Sequence, residues 1–466
     1  MEEYRIEIDT LGEVKVPVGA YYGAQTTRAI RNFPVSGLRL QPEFVRAQAI
    51  IKYGAARANM DCKALDKKIG GAIVLAAEEV ISGKMSNQFV VDLFQAGAGT
   101  SQNMNMNEVI ANRAAEILGG KRGEYILIHP NDHVNMAQST NDTIHVAVHI
   151  AAVLETITKL FPAVDNLEKE LSRKEREFDN VIKCGRTHLQ DAVPIRLGQE
   201  FSAYAAMMRL DKKRILQALD GLKELAIGGT AVGTGLNSPK GYRKSAIKYI
   251  NEKTRQDFRT AENMFEAMQS FDAVVSFVGA LRTLVTGLKK IADDIRLLAS
   301  GPRTGFNEIR LPALQPGSSI MPGKVNPVMP EMLNMVCSHA LGNDACILHA
   351  SQAGQLELNV MMPVMAYNLI QEIQILAGGM NAFAEKCIGG LGANDEVCLR
   401  FAERSTSLAT ALNPMIGYHK AAKLAQQAFK EDRSVRELAA EQNLADKATL
   451  DKALDLRRMT ENPDDL

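Results

Sequence analysis

Residues 317–327 gather side chains that can bind an anion and move a proton. The segment reads Gly-Ser-Ser-Ile-Met-Pro-Gly-Lys-Val-Asn-Pro, in which the prolines prevent a continuous helix or central strand and the glycines permit unusual backbone angles. The side chains suited to holding a carboxylate are Ser318, Ser319, Lys324 and Asn326. This combination predicts an active-site loop.

Two familiar loop motifs do not fit this segment. A P-loop has four residues between its glycines, whereas five separate Gly317 from Gly323. It also needs Ser or Thr after the lysine, and Val325 stands there. A nucleophile elbow requires glycine at the position of Met321. An ordinary irregular connection that tolerates Ser and Gly is the alternative interpretation.

Three more polar segments, residues 97–101, 129–142 and 185–191, interrupt helical patterns. Each is expected where a helix begins or ends, and helix capping is the ordinary role of Ser, Thr and Asn there. Together with the 317–327 loop they supply hydroxyls, amides, a lysine and a histidine, without a cysteine nucleophile or an acidic metal cluster. This inventory predicts a small, doubly anionic substrate and proton removal beside a carboxylate, where electrophilic groups stabilise an enediolate-like dianion.

His188 is the histidine whose surroundings in sequence best suit such chemistry, because Arg186 and Thr187 precede it. A lone histidine is otherwise more often structural. Glu331 is a candidate to orient or charge His188, in the way that a third group holds a catalytic base.

Composition sets limits on the class of protein. A length of 466 residues suits two or three domains, and 54 basic residues balance 54 acidic ones, so nothing favours nucleic acid or an anionic membrane. Six scattered cysteines lack zinc-type spacing and are expected to be reduced thiols. The acidic, alternating N-terminus is unlike a secretory signal, and no apolar run reaches membrane-spanning length. We expect a cytoplasmic protein that needs no metal and no organic cofactor.

The elements that position these segments are mostly helical. Apolar residues at alternating steps of three and four over 274–298 predict a bundle helix of roughly 27 residues, about 40 Å long. A second apolar stripe over 150–171 contains Pro162, which predicts a kink, and a third covers 215–226. Long stripes of this kind are typical of a central helix bundle.

The two ends of the chain differ from this helical centre. Alternating residues at 4–8 and 14–18 predict a small hairpin, with Pro17 keeping the second strand at an edge. After about residue 394 the segments are shorter and more charged, which predicts a small helical domain whose last residues, from 457, fray. We predict an all-α protein whose three domains cover residues 1–139, 140–394 and 395–466.

The four polar segments together closely resemble the fumarase/aspartase superfamily of lyases, and the resemblance runs from about Tyr21 to near the C-terminus. It implies a three-domain helical subunit whose long central helices form the core of a homotetramer. Each active site would be assembled from three subunits. Members eliminate ammonia, water or another leaving group from a succinyl skeleton to give fumarate, so a small dicarboxylate or amino-acid substrate is implied.

By position, the resemblance implies a role for each polar residue. Ser318 would be the general base that removes the Cβ proton, with Lys324 and Asn326 on the carboxylate next to the leaving group. The residues implied to hold the other carboxylate are Thr100, Ser101, Ser139, Thr140 and Ser319. Those implied to face the leaving group are Asn141, Thr187 and His188, with Glu331 paired to His188. Lys324 and the loop amides are expected to stabilise the Ser318 alkoxide after closure of the mobile loop expels water.

The leaving group is predicted from three short segments. Gly-Thr-Ser at 99–101, Ser-Thr-Asn at 139–141 and Asn-Pro-Val-Met-Pro-Glu at 326–331 resemble the members that release ammonia. We therefore expect elimination of ammonia from L-aspartate. Elimination of water from L-malate is the alternative, and a non-enzymatic descendant, as among the lens crystallins of the superfamily, is a second one.

Two departures from the usual pattern are expected to affect specificity or assembly. Residues 144–146, Ile-His-Val, stand where the family commonly carries Pro-Thr, and Met362 stands in place of a common glutamate. Segment 129–132 matches part of a second dicarboxylate site of fumarases, but Ile126 replaces its arginine, so we do not predict that site.

Overall fold

The computed structural model describes residues 3–461, and helices dominate it. In chain order they are α1 (Ala24–Asn32), α2 (Pro42–Asp61), α3 (Lys67–Ile81), α4 (Thr100–Ile117), α5 (Thr140–Glu155), α6 (Phe161–Glu177), α7 (Leu197–Leu219), α8 (Tyr242–Thr254), α9 (Met264–Gln269), α10 (Asp272–Leu298), α11 (Val328–Ser351), α12 (Met362–Phe383), α13 (Asp395–Arg404), α14 (Asn413–Ile416), α15 (Tyr418–Glu431), α16 (Val435–Glu441) and α17 (Lys447–Ala453). The predicted mostly helical fold is confirmed.

The strands in residues 3–461 are short and pair only in twos. They are β1 (Tyr4–Asp9), β2 (Gly12–Pro17), β3 (Ile182–Thr187), β4 (Gln190–Arg196), β5 (Glu224–Leu225), β6 (Arg259–Thr260), β7 (Ile309–Arg310) and β8 (Gly392–Ala393). β1 and β2 form the predicted antiparallel N-terminal hairpin, in which Tyr4 lies opposite Pro17. Because Pro17 has no N–H, it is tolerated at this sheet edge.

Helix α10 begins two residues before the predicted stripe and ends with it. The apolar stripe is buried throughout, at Val274, Phe277, Leu281, Leu284, Leu288, Ile291, Ile295 and Leu298. Spacings of three and four place all these residues on one face of the helix. The sequence prediction of a long bundle helix is confirmed.

The second stripe is interrupted by a π-helical turn, Thr156–Leu160, which joins α5 to α6 immediately before Pro162. A proline lacks the N–H needed for the next helical hydrogen bond, so a wider turn before it is physically reasonable. By length and composition, residues 140–177 form a helix that can cross a membrane, contrary to the sequence expectation. However, 72% of its most apolar window is buried within the protein, as in the core helices of globular folds.

Backbone contacts divide the chain into two compact units. Unit 1 consists of residues 1–162, 211–285 and 338–377, and unit 2 of residues 163–210, 286–337 and 378–466. These units are discontinuous in sequence, so they do not correspond to the three consecutive predicted domains, which stay a prediction. Five helices, α6, α7, α10, α11 and α12, each contribute residues to both units.

The end of the chain is held by hydrogen bonds up to the last described residues. The guanidinium of Arg457 donates to the backbone O of Asp179, and Arg196 donates to Thr460 Oγ1 at 2.9 Å. The prediction that the chain frays from residue 457 is therefore wrong for residues 457–461, because these hydrogen bonds and the buried Thr460 side chain anchor them. Residues 462–466 lie outside the described part of the chain.

Candidate active site

In unit 1 the N-termini of α4 and α5 lie side by side. Ala98 and Gly99 adopt left-handed backbone angles, with φ of 59° and 81°, and lead into Thr100 and Ser101 at the start of α4. A Cβ on Gly99 would stand 3.2 Å from Ile144 side-chain carbons of α5, so only glycine satisfies both the angle and the contact. Ser101 is buried and Thr100 is exposed. The dipoles of these two helix N-termini favour an anion beside them.

Helix α5 begins with a reciprocal cap. Ser139 Oγ accepts the Asn141 N–H at 3.2 Å, and Asp142 accepts the Ser139 N–H at 2.9 Å. The other Asp142 oxygen accepts N–H groups of Gly228 and Thr230, which attach a glycine-rich loop to the helix. Ser139 therefore has the capping role that was the ordinary alternative, and this role fixes the position of the predicted site residues beside it.

Asn141 and Asp142 attach the same glycine-rich loop. The Asn141 side chain donates from Nδ2 to the Ala231 carbonyl at 2.8 Å. Burial raises the pKa of Asp142 to about 7, while the N–H donors oppose that shift. Within residues 3–461 the Asn141 amide oxygen accepts no hydrogen bond, so it is the part of this side chain that suits the predicted leaving-group role.

Lys52 of α2 is fully buried and lies close to the start of α5. Its ammonium donates to the amide oxygens of Asn103 at 2.9 Å, Asn135 at 2.9 Å and Gln138 at 3.1 Å. Burial lowers the pKa of Lys52 to about 7, and the charge of Asp142 opposes that shift. Sequence reasoning missed Lys52, although a single lysine in the apolar run 49–56 was the available signal.

In unit 2 the 317–327 loop presents Ser318 with two hydrogen-bond donors. Ser318 Oγ accepts the N–H of Met321 at 2.9 Å and that of Ile320 at 3.2 Å. Such contacts also stabilise ordinary turns. They favour an alkoxide at this oxygen, because N–H donors stabilise negative charge. Ser318 is half-buried, whereas Ser319 and Lys324 are exposed.

The loop is closed at its base by contacts of Gly317. Its N–H donates to the Lys324 carbonyl at 2.9 Å, and its own carbonyl accepts a short hydrogen bond from Asn326 Nδ2. A Cβ at position 317 would lie 2.3 Å from the Lys324 oxygen, so glycine is required by this close approach. Asn326, predicted to bind a carboxylate, here uses its amide to close the loop.

The segment 185–191 forms the turn of the β3–β4 hairpin, so the expectation of a helix end there is wrong. Thr187 pairs with Gln190, and His188 and Leu189 occupy the two turn positions with φ of 56° and 57°. Positive φ at both positions is what two-residue hairpins favour. His188 and Thr187 are consequently exposed at the tip.

The strand that leads to His188 is anchored by a buried charge cluster. Glu308 is fully buried and forms ion pairs with Arg186 at 2.8 Å and Lys183 at 3.1 Å, while Lys183 also pairs with Glu200 at 2.7 Å. The Arg186 guanidinium lies 4.2 Å from the centre of the Phe306 ring. These contacts hold the hairpin and therefore its tip.

The predicted residues fall into two groups. Unit 1 brings together Thr100, Ser101, Ser139, Thr140 and Asn141, whereas unit 2 contains Thr187, His188, Ser318, Ser319, Lys324, Asn326 and Glu331. Glu331 is half-buried in the first turn of α11. Within residues 3–461, no ion pair or hydrogen bond joins Glu331 to His188, so their pairing stays a prediction.

Both departures from the family pattern adjoin the unit 1 residues. The side chain of Met362 is buried at the start of α12, and the preceding Val360 carbonyl accepts the Ala98 N–H at 2.8 Å. The His145 ring packs against the His149 ring at a tilt of 45°, with ring centres 4.5 Å apart. Burial lowers the pKa of His145 to about 4 and that of His149 to about 3, so both rings are neutral at pH 7. His145 is therefore a core residue and does not face the site.

Comparison with known proteins gives the class. A family model described as Lyase matches residues 12–342, and a second, described as Fumarase C C-terminus, matches residues 408–461. The helical fold and the polar helix N-termini are thus those of a lyase. The chain belongs to the fumarase/aspartase superfamily.

Similar proteins include both aspartate ammonia-lyases and fumarate hydratases. Aspartate ammonia-lyase of Bacillus subtilis is 48% identical over 98% of this chain and 96% of its own. Class II fumarate hydratase of Halobacterium salinarum is 50% identical over 98% of this chain and 97% of its own. The crystal structure of fumarate lyase:delta crystallin from Brucella melitensis bound to cobalt has a TM-score of 0.96 at 47% identity, covering 99% of this chain and all of that one. Overall identity does not separate the two activities.

Proposed function

We propose that the protein catalyses the reversible elimination of ammonia from L-aspartate to give fumarate. The observation that carries this proposal is the position of Ser318, whose oxygen accepts two loop N–H groups. A serine hydroxyl is a weak base at neutral pH, and these donors, with Lys324 in the same loop, stabilise its alkoxide.

In the proposed reaction, the Ser318 alkoxide takes the Cβ proton of L-aspartate. The electron pair of the C–H bond moves into the adjacent carboxylate, which becomes an enediolate dianion. This dianion collapses to the carbon–carbon double bond as the Cα–N bond breaks and ammonia leaves. The proton on Ser318 then passes to ammonia, directly or through water, so that the products are fumarate and ammonium.

The residues of unit 1 are suited to the carboxylate on which this charge develops. Thr100, Ser101, Ser139 and Thr140 provide hydroxyls at two adjacent helix N-termini. Concentrated donors at the site of developing charge lower the barrier. Asn141, with Thr187 and His188, is proposed to face the departing amine, and Glu331 to charge His188 across a subunit boundary.

Ammonia is proposed over water because residues 99–101, 139–141 and 326–331 resemble the ammonia-releasing members. Fumarate hydratase activity is the second candidate, since one relative with that activity is 50% identical. Both reactions share the same proton removal and differ only in the group that leaves.

Parallel assays distinguish the two. Purified protein is supplied with L-aspartate or with L-malate at equal concentration, and fumarate is followed by its ultraviolet absorbance while released ammonia is measured separately. We expect fumarate and ammonia in equal amounts from L-aspartate. Fumarate from L-malate alone would refute the proposal in favour of the hydratase.

We also propose a cytoplasmic homotetramer. Large apolar side chains on unit 1, including Leu356 at 81% and Leu236 at 70% exposure, support burial against other subunits. Six unpaired cysteines support a reducing compartment. Light scattering after size-exclusion chromatography tests for four subunits, and fractionation of cells tests the location.

A further inference from the structure

The buried ammonium of Lys52 is surrounded by neutral acceptors. Its three donors meet three amide oxygens, and an amide oxygen has no proton to give to a neutral amine. This set of partners therefore favours the charged form of Lys52. A single residue, Asn103, lies between this ammonium and Thr140, the first residue of α5.

The amides around Lys52 are held in a single orientation by their NH2 groups. Asn135 donates from Nδ2 to the Gln138 carbonyl at 3.2 Å, and Gln138 donates from Nε2 to the Val134 carbonyl at 3.0 Å. Asn103 donates from Nδ2 to Asn135 at 3.2 Å and to Thr140 Oγ1 at 3.1 Å. Exchanging any amide N and O would place donor against donor or acceptor against acceptor.

Thr140 consequently receives a hydrogen bond from Asn103 instead of giving one. A hydroxyl has one proton, and acceptance from Asn103 leaves that proton available for another acceptor. Thr140 is half-buried at the first position of α5, beside Ser139. Its proton is therefore free to be donated to a carboxylate at the helix N-terminus.

We propose that Lys52 is a positioning residue, which acts through Asn103 to present the Thr140 hydroxyl as a donor to the substrate carboxylate that becomes the enediolate. This inference rests on the proposed elimination. The polarised chain from ammonium to amide to hydroxyl strengthens as negative charge grows on that carboxylate. Its effect is therefore larger on kcat than on the binding of a stable dicarboxylate.

The decisive variant is Asn103→Asp. It keeps an oxygen for Lys52 and nearly the same volume, but replaces the donor to Thr140 by an acceptor. The Thr140 proton then points to position 103 and away from the substrate. We expect kcat to fall about a hundredfold, as on loss of one oxyanion donor, while the Kd of succinate, measured by calorimetry, rises about tenfold or less.

A double-mutant cycle distinguishes loss of the hydrogen bond from Asn103 to Thr140 from a general disturbance of the structure. In the Thr140→Val background the hydroxyl is absent, so Asn103→Asp is expected to lower kcat by no more than about twofold further. Equal losses in both backgrounds, or an unchanged kcat in Asn103→Asp, would overturn the proposal. Lys52→Met is expected to lower kcat in the same way. If it fails to fold by circular dichroism, the Asn103 cycle still decides.

The same cycle on succinate binding separates this inference from the proposed reaction. A wild-type protein that releases fumarate only from L-malate refutes the ammonia-lyase proposal, and the cycle is then run with L-malate. A wild-type protein that releases no fumarate from either substrate refutes the reaction itself. Non-additive effects of the two substitutions on succinate affinity would still support the proposed hydrogen bonds from Lys52 through Asn103 to Thr140. Additive succinate affinities, or no succinate binding, would overturn this inference.

Discussion

Arg186 donates a hydrogen bond to the buried carboxylate of Glu308 at 2.8 Å. Arg186 lies two residues before His188 in the β3–β4 hairpin, while Glu308 lies just before β7. The pair thus connects the strand that carries a proposed site residue to a part of the chain about 120 residues away. Glu308 also pairs with buried Lys183, so a single carboxylate serves two cations.

We predict that Glu308→Gln lowers the free energy of unfolding by about 3 kcal/mol, because it removes the carboxylate that pairs with Arg186 and leaves buried Lys183 paired with Glu200 alone. Urea denaturation at a fixed protein concentration measures the change. Asp432→Asn is the matched control, since its ion pair with Arg404 is exposed on both sides. A Glu308→Gln midpoint equal to that of the control would contradict the structural role.

Ser318→Ala is predicted to change mainly kcat, whereas Ser319→Ala is predicted to change mainly KM. Removal of the proposed base should lower kcat at least a thousandfold, because proton removal is lost. Ser319→Ala removes one proposed carboxylate contact, so KM should rise about tenfold. Steady-state kinetics of fumarate release, on variants with unchanged assembly by light scattering, provide the test. Retained turnover in Ser318→Ala would exclude it as the base.

Gly317→Ala is predicted to open the loop base. The added Cβ would come within 2.3 Å of the Lys324 carbonyl oxygen and 2.7 Å of the Asn326 N, both backbone atoms that cannot move independently. We expect kcat to fall about a hundredfold with little change in melting temperature. Gly71→Ala in α3, where a Cβ meets nothing within 4 Å, should retain full activity. Equal activity in the two variants would show that the loop base has no part in turnover.

The neutral pair His145 and His149 predicts a specific dependence of stability on pH. Both folded-state pKa values are lowered by burial, to about 4 and about 3, from the ordinary 6.5. Below pH 6.5 the unfolded chain therefore binds more protons, and the free energy of unfolding falls as pH decreases toward 4. At pH 5 the loss is about 2 kcal/mol for each histidine.

His145→Gln should remove about one half of this loss between pH 7.5 and pH 5 while keeping a donor for the Ser270 carbonyl. Urea denaturation at both pH values measures it. His419→Gln changes an exposed ring and should keep the wild-type difference. An identical pH dependence in His145→Gln and wild type would show that the buried ring does not titrate on unfolding.

Periodicity predicted the long helices because burial of one face selects residues at every third or fourth position. Over 274–298 the apolar positions alone indicated both the length of α10 and its buried face. Capping residues carried a comparable local signal. Ser139 and Asp142 have the spacing of a reciprocal cap, and the structure forms that cap at the start of α5.

Other features depend on contacts that local sequence does not record. The turn at His188 and Leu189 lacks the Asn-Gly or Asp-Gly pair that is the usual sequence signal of a two-residue hairpin. Its strands were therefore not predicted. Lys52 is far in sequence from Asn135 and Gln138, and only the packing of α2 against α5 makes it a buried cation. The predicted pairing of His188 with Glu331 also joins residues far apart in sequence, for which local patterns give no signal.

The hydrogen bonds around Ser318 have a consequence for loop exchange. The proposed base, the two N–H groups that favour its alkoxide, and the Gly317 closure all lie within eleven consecutive residues, 317–327. A graft of this segment between members of the superfamily would carry the activation of the base with it. Preference between ammonia and water would then follow the recipient's own residues at 99–101, 139–141 and 328–331, so chimeric proteins can assign proton removal and leaving-group choice to different stretches of sequence.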